Sequence, residues 1–157
     1  MSTLTIGVGG TYATIQAASN AAVNSDALEI VDSATYAENV TIANGAQGIP
    51  LQNVTLRAAT GCTPTIAKAT GDLLTLASGV KGFTVRGASA SSRLSFAITL
   101  NSQKNIVLSG SNDGFTAKWL NINCAAQGYG FTAAGTQTGA ILIDTVTFAG
   151  GDRKSVV

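Results

Sequence analysis

The sequence predicts an all-β protein that folds as one right-handed parallel β-helix behind a short capping helix. Three observations predict this fold. The 157 residues include 18 glycines and are 45% apolar but only 6% aromatic, so the core must be aliphatic and the turns numerous. From residue 28 onward, apolar and polar residues alternate in short segments that glycines separate. Similar segments then recur irregularly, as they do in solenoid proteins.

The capping helix is predicted over residues 14–23. Ile15, Ala18 and Ala22 are spaced by three and four residues and form one narrow apolar stripe. Thr14 is a suitable N-cap. A helix with so small an apolar face suits covering the open end of a solenoid.

The strands of the solenoid are predicted from segments that look alike. They begin 14, 29, 23 and 40 residues apart, which indicates an irregular period of about 20–25 residues. The similar segments are residues 39–42, 53–57, 82–86, 105–109 and 145–148, with further strands at 64–66, 73–76, 96–100, 119–123 and 140–143. We expect one β-helix domain over residues 1–149 and a C-terminal tail over residues 150–157.

A β-sandwich is the alternative fold. Its antiparallel hairpins favour two-residue turns such as Asn-Gly and Asp-Gly. The chain contains Asn44-Gly45 and Asp113-Gly114, so this signal is present.

Composition and charge exclude several classes of function. The net charge is +1 and charged residues make up 11% of the chain, with no cluster of Lys or Arg along the sequence. We therefore expect neither nucleic-acid nor membrane binding. Residues 1–6 lack the basic segment and long apolar run of a secretory signal. No run of about 18 apolar residues occurs, so we predict no membrane-spanning helix.

The opening of the chain resembles a known superfamily. Residues 10–18, 26–31 and 34–42 resemble the start of pectin lyase-like right-handed β-helix proteins, in which a capping helix precedes a strand, a tyrosine-containing turn and a second strand. The resemblance covers residues 5–60 and implies the fold. It implies no single activity, because the superfamily includes lyases, hydrolases, esterases, phage tailspikes, other virion proteins and adhesins.

Within that superfamily, the early Gly-x-Tyr-x-Glu motif of pectin methylesterases is similar to Ala34, Tyr36 and Glu38, with Ala in place of Gly. The later motifs of that family, a Gln-Asp-Thr, an Asp-Phe and an Arg-x-Trp-like segment, are not found. The Asp-Asp pair and the histidine of polygalacturonases are missing, as is an acidic cluster like the Ca²⁺ ligands of pectate lyases. The resemblance therefore implies no catalytic residues for this chain.

The residue types themselves limit catalysis and metal binding. The chain has no histidine, which excludes Ser-His-Asp and Cys-His systems and every zinc site that contains histidine. Cys62 and Cys124 are too few for a Cys₄ site; we expect buried thiols, with a disulfide as the alternative. We predict no cofactor, no metal and no catalytic residue.

Carboxylates are the remaining route to catalysis. Asp26, Glu29, Asp32 and Glu38 are expected to have structural roles, with Glu38 reaching Arg57 or Lys68 on a neighbouring coil. Asp113 and Asp144 could approach each other on adjacent coils.

The weak candidates for a binding site are aromatic. Trp119, Tyr129 and Phe131 could form a sugar-stacking patch, although aromatic residues of solenoids also fill wide coils.

The sequence favours a non-catalytic structural or binding solenoid. By analogy with short members of the superfamily that lack a site, we expect a virion-associated protein, either a capsid decoration or a tail component. Its location would be a virion or a cell surface, and its partners other copies of itself, capsid or tail proteins, or a polysaccharide. The alternative is a carbohydrate-active, pectin or pectate lyase-like protein or a fragment of one.

Overall fold

The computed structural model describes residues 1–100, 102–125 and 128–150. About half of these residues lie in strands. The elements in chain order are β1 (Thr3–Ile6), α1 (Ile15–Ala21), β2 (Ala27–Ile30), β3 (Thr35–Tyr36), β4 (Val40–Ile42), β5 (Thr55–Ala58), β6 (Thr65–Lys68), β7 (Leu74–Leu76), β8 (Lys81–Arg86), β9 (Leu94–Ile98), β10 (Lys104–Leu108), β11 (Asn112–Asn123), β12 (Tyr129–Ala133) and β13 (Gln137–Ala149).

The strands stack into three parallel faces. Face 1 contains β1, β2, β5, β8 and the first halves of β11 and β13; face 2 contains β3, β6, β9 and the second halves of β11 and β13. Face 3 contains β4, β7, β10 and β12. Every pairing between the described strands is parallel. The predicted parallel β-helix is therefore confirmed, and the β-sandwich alternative was wrong.

The coil length differs from the predicted period. On face 1, Thr55 pairs with Thr84 and Thr84 with Thr116, offsets of 29 and 32 residues. The predicted period of about 20–25 residues was wrong because segments that look alike lie on different faces: residues 39–42 overlap β4 on face 3, whereas residues 53–57 overlap β5 on face 1. Apolar alternation is the same on all three faces, so it does not distinguish them.

The core is a set of stacked side chains inside the coils. On face 1, Leu56 lies between Leu28 and Val85 in register, and all three side chains are fully buried. Each inward residue thus contacts its counterpart in the next coil, which gives the continuous core of a solenoid.

Helix α1 covers the N-terminal end of this core. It lies within the predicted range of residues 14–23, and the Thr14 side chain accepts a hydrogen bond from Ala17 N–H at 3.1 Å. The side-chain amide of Gln16 donates to Thr41 O at 3.0 Å and accepts from Thr41 N–H at 2.7 Å. Gln16 therefore occupies the place that a neighbouring strand would take beside β4, and it closes that edge of face 3.

The corner that leads into face 1 is formed by left-handed residues in each coil. Ser25, Asn53, Gly82, Gly114 and Gly139 have φ values of 69°, 55°, 59°, 70° and 72°. The register of face 1 places the first four beside one another, since each lies two residues before one of the aligned residues Ala27, Thr55, Thr84 and Thr116. Glycine and asparagine suit these positions because they adopt the left-handed conformation at low cost.

Helix α1 has seven residues, and no helix in the described part of the chain is long and apolar enough to cross a bilayer. Of the predicted tail over residues 150–157, only Gly150 lies within the described residues.

Candidate functional site

A row of cationic side chains runs along face 1. Arg57, Arg86 and Lys118 occupy the same outward position on β5, β8 and β11, since Arg57 pairs with Arg86 and Arg86 with Lys118. Adjacent strands are about 4.8 Å apart, so the three side chains leave the sheet at that spacing. We call these three residues the cationic row.

Each end of the cationic row is neutralised by a carboxylate. Glu29 Oε1 on β2 lies 2.8 Å from Arg57 Nε, and Asp144 Oδ2 on β13 lies 2.7 Å from Lys118 Nζ. Arg86, in the middle, has a cation on each side and forms no ion pair within the described residues. The strands that carry these two carboxylates, β2 and β13, are each two strands away from β8, roughly 9–10 Å at the strand spacing.

Arg86 also lines a shallow cavity. The cavity has a volume of about 230 Å³ and lies where the end of face 1 turns away. Its lining consists of Glu29, Arg57, Ala58, Thr60, Arg86 and Ala88. Polar and charged side chains therefore dominate it, and the half-buried Arg86 is the one cation of this lining that no carboxylate neutralises.

A row of threonines accompanies the cations. Thr55, Thr84 and Thr116 pair in register at the outward position two residues before each cation, and all three are half-buried. Face 1 thus presents hydroxyl groups beside positive charges in three successive coils.

The last cation of the row contacts an aromatic ring. Lys118 Nζ lies 4.7 Å from the centroid of Trp119, a residue held at φ 52° where β11 bends from face 1 to face 2. The hydrogen bond from Lys118, with a second one from the Thr145 hydroxyl, lowers the pKa of Asp144 below its ordinary value. Asp144 therefore stays ionised and holds Lys118 near the ring.

The predicted aromatic patch is not assembled. Phe131 is buried in face 3 and packs edge-on against Phe115 and Phe148, with ring centroids 6.1 Å and 5.9 Å apart. Tyr129 begins β12 beside Lys104, and Trp119 lies at the corner between faces 1 and 2. The three rings are thus on different parts of the solenoid.

The N-terminal carboxylates hold the cap. Glu38 was predicted to reach Arg57 or Lys68, which was wrong: it accepts hydrogen bonds from Ile15 N–H at 2.9 Å and Gln16 N–H at 3.0 Å. The first N–H groups of a helix have no partner within the helix, so a nearby carboxylate is drawn to them. Asp26 likewise accepts from Ser2 N–H at 2.7 Å and Val23 N–H at 3.1 Å.

Asp32 and Tyr36 form a second part of the cap, beside a cleft of about 410 Å³. Desolvation alone would raise the pKa of Asp32, but hydrogen bonds from Val8 N–H, the Tyr36 hydroxyl and Ala34 N–H together outweigh it, and the pKa lies below its ordinary value. Burial, and then the hydrogen bond to Asp32, raise the pKa of Tyr36, so the phenol remains a donor. The residues that resemble the esterase motif, Tyr36 and Glu38, thus serve the cap.

Asp113 and Asp144 do not approach each other as expected. Asp113 lies at the start of β11 beside Lys81 and Thr138, whereas Asp144 lies beside Lys118 farther along the same strand pair. The register of β13 on β11 therefore separates the two carboxylates along the strand direction.

The cysteines do not form a disulfide. Cys124 is buried, as predicted, and its Sγ lies 3.5 Å from Asn105 Nδ2. Cys62 is partly exposed, which differs from the prediction of a buried thiol. Among the described residues, no three Asp, Glu or Cys side chains are grouped so that they could hold a metal ion.

Face 2 carries an uncharged groove of about 330 Å³. Thr65, Ser95, Asn121 and Thr147 pair in register along it. The groove offers hydroxyl and amide groups but no charge from these four side chains.

Sequence reasoning missed the cationic row, although a signal for it exists. The pattern Asn/Gly-x-Thr-x-Arg/Lys occurs at residues 53–57, 82–86 and 114–118. The first two segments look alike in sequence, but the third lies outside the predicted strands. No cluster of cations is visible along the chain because each coil supplies one.

The strand pairing and the capping helix define this chain as a parallel β-helix. No family model matches the chain, and no curated protein matches it. Among solved structures, it is similar to the pectin methylesterase from Aspergillus niger in penultimately deglycosylated form, at 16% identity over 98% of this chain and 68% of that one, with a TM-score of 0.44. The architecture described above follows from the strand pairing of the chain itself.

Proposed function

We propose that this protein is a non-catalytic β-solenoid with a structural or binding role. The observation that supports this proposal is how its carboxylates are used. Of the eight acidic residues, Asp26, Asp32, Glu38 and Asp72 accept backbone N–H groups, and Glu29 and Asp144 are in ion pairs. Glycoside hydrolysis needs a general acid and a second carboxylate on either side of one bond. Six carboxylates here are committed to holding the fold.

The proposed setting is a virion, as a capsid decoration or tail component, or a cell surface. The proposed partner is a second copy of the chain. In support, β13 exposes Ile141 and Leu142, which are 43% and 53% accessible, and within the described residues β13 pairs with β11 on one side only. An apolar strand edge of this kind favours pairing with another chain.

Incubation with polygalacturonate, methylesterified pectin and host polysaccharides, each with and without Ca²⁺, tests the absence of catalysis. We expect no release of reducing ends, unsaturated products or methanol above the buffer control. Release of any of these products would contradict the proposal and favour the carbohydrate-active alternative.

The effect of Leu142→Glu on mass in solution tests the proposed partner. We expect the wild-type protein to be larger than a monomer by light scattering and Leu142→Glu to shift it toward the monomer. Leu100→Glu is the matched control, because Leu100 is 49% exposed and follows β9, a strand that β11 separates from β13. A monomeric wild-type protein would contradict self-association. Absence of the protein from purified particles of the native source would contradict the virion setting.

A further inference from the structure

We propose that face 1 carries a binding site for the sulfate or phosphate ester groups of a linear glycan, centred on Arg86. This inference goes beyond the non-catalytic role proposed above, and it does not depend on that role.

The charges of the cationic row are compensated at its ends but not at its centre. Like charges directly opposite each other on neighbouring strands destabilise a sheet. Arg86 faces Arg57 on one side and Lys118 on the other. The protein relieves this repulsion at both ends of the cationic row, with Glu29 and Asp144, but not in the middle. A bound anion at Arg86 would neutralise the one position that the chain leaves uncompensated.

The donors around Arg86 suit an oxyanion. Arg57 Nε already donates a hydrogen bond to the planar carboxylate of Glu29. The cavity beside this ion pair is lined by Arg57, Glu29, Arg86 and Thr60, so two guanidinium groups and a hydroxyl belong to its wall together with one carboxylate. A tetrahedral oxyanion has acceptor oxygens for donors from several directions, and arginine binds phosphate groups through paired hydrogen bonds. Sulfate esters offer the same tetrahedral set of oxygens.

The polar surface around Arg86 extends over several coils. Arg57 and Lys118 are already paired with Glu29 and Asp144, so Arg86 is the position for an anionic group, and the neighbouring polar side chains recur at about 4.8 Å along the solenoid axis. Thr55, Thr84 and Thr116 run parallel to the cations and can hydrogen-bond sugar hydroxyl groups. Trp119 adds an aromatic ring at the end of the row. Hydroxyl groups and an aromatic ring beside cations indicate a glycan that carries the anionic groups.

Calorimetric titration with size-matched dextran sulfate and neutral dextran tests the site. We expect dextran sulfate to bind, more weakly as salt is raised, and dextran not to bind. Arg86→Gln should raise the Kd for dextran sulfate by about tenfold, the factor that loss of a charged hydrogen bond produces. Arg86→Lys should also weaken binding, because an ammonium group does not replace the guanidinium fork.

The matched control is Lys68→Gln, which removes the same charge from an exposed residue at the end of β6 on face 2. It should leave the Kd unchanged. An equal loss of affinity in Lys68→Gln and Arg86→Gln would overturn the site, since it would indicate attraction by net charge alone. Binding of polygalacturonate or of a DNA duplex as tightly as dextran sulfate would overturn the assignment of the ligand.

A second measurement separates binding from folding. Removing the central cation relieves repulsion within the row, so Arg86→Gln should unfold at a urea concentration equal to or above that of the wild type. A clear drop in the unfolding midpoint of Arg86→Gln would contradict the argument that the unliganded row is electrostatically uncompensated.

Discussion

Glu38 serves two elements with one carboxylate. It lies in the turn before β4, and its two oxygens accept the N–H groups of Ile15 and Gln16 at the start of α1. The charge also meets the positive end of the helix dipole. The cap is thereby attached to the first coil by a side chain of that coil.

Replacement of this side chain should loosen the cap. We expect Glu38→Ala to lower the free energy of unfolding by about 1–2 kcal/mol, the usual cost of losing a capping acceptor. Glu38→Gln should cost less, because its amide oxygen still accepts one hydrogen bond. Urea titration followed by circular dichroism measures both changes. Equal stability of Glu38→Ala and the wild type would show that the contact contributes nothing.

Asp32 makes the cap sensitive to acid. The hydrogen bonds that Asp32 accepts keep its pKa in the folded protein below the unfolded value of about 3.9. A depressed folded pKa adds stability above the unfolded pKa, and this stability is lost as the pH falls through the folded pKa. The wild type should therefore lose its advantage over Asp32→Asn as the pH falls below about 4.

Urea titrations of both proteins between pH 7 and pH 3 measure this difference. Tyr36→Phe is a useful control, since it removes one of the three donors to Asp32 without changing its charge. We expect Tyr36→Phe to show a smaller acid effect than the wild type. A difference between the wild type and Asp32→Asn that does not vary with pH would refute the role of Asp32.

At the scale of the element, the left-handed corner before face 1 sets the register of the strands that follow it, and so sets which residues of successive coils lie beside one another. Asn53, Gly82 and Gly114 stand at this corner in three successive coils. A Cβ on Gly114 would have room, because the nearest atoms are 3.8 Å away. The cost of a side chain at Gly114 is therefore conformational.

Two substitutions of Gly114 test this cost. Gly114→Ala should destabilise the protein by about 1–2 kcal/mol, the penalty of the left-handed conformation for an ordinary residue. Gly114→Asn should cost less, because asparagine tolerates this conformation and Asn53 already adopts it. Thermal unfolding of the two variants compares them directly. Equal loss in both would indicate that packing, and not φ, sets the requirement.

The elements differ in whether their positions and contacts could be predicted from the sequence. Helix α1 was predictable from the spacing of Ile15 and Ala18 and from Thr14, because local rules set all three. The partner of Glu38 was not, since its place at the helix start depends on how the chain folds back. The cationic row required knowing that Arg86 and Lys118, 32 residues apart, are neighbours, and alternation alone does not supply that register.

At the scale of the whole molecule, the two ends of the described solenoid differ in how well they are covered. Its N-terminal end is covered by α1, whereas β13 pairs with one strand in the described part of the chain. In a solenoid each coil contacts only its neighbours, so opening spreads from the less protected end.

Hydrogen exchange should show this difference. In the Leu142→Glu variant, in which pairing with a second copy is disrupted, we expect the amides of β13 (Gln137–Ala149) to exchange faster than those of β8 (Lys81–Arg86), which lies between β5 and β11. Mass spectrometry of peptic fragments measures both segments in one experiment. Slower exchange in β13 than in β8 of this variant would contradict opening from that end.

The bend between faces 1 and 2 is built in two ways, and the two ways use different numbers of residues. This difference bears on which changes in chain length the fold tolerates. In β11 the single residue Trp119 makes the bend, whereas residues 87–93 separate β8 from β9 in the preceding coil. Both routes return to the same alignment, with Arg86 beside Lys118 before the bend and Leu94 beside Leu120 after it. Insertions and deletions at this corner are thus absorbed locally. The number of residues at this corner can therefore vary while the side chains on face 1 keep their register.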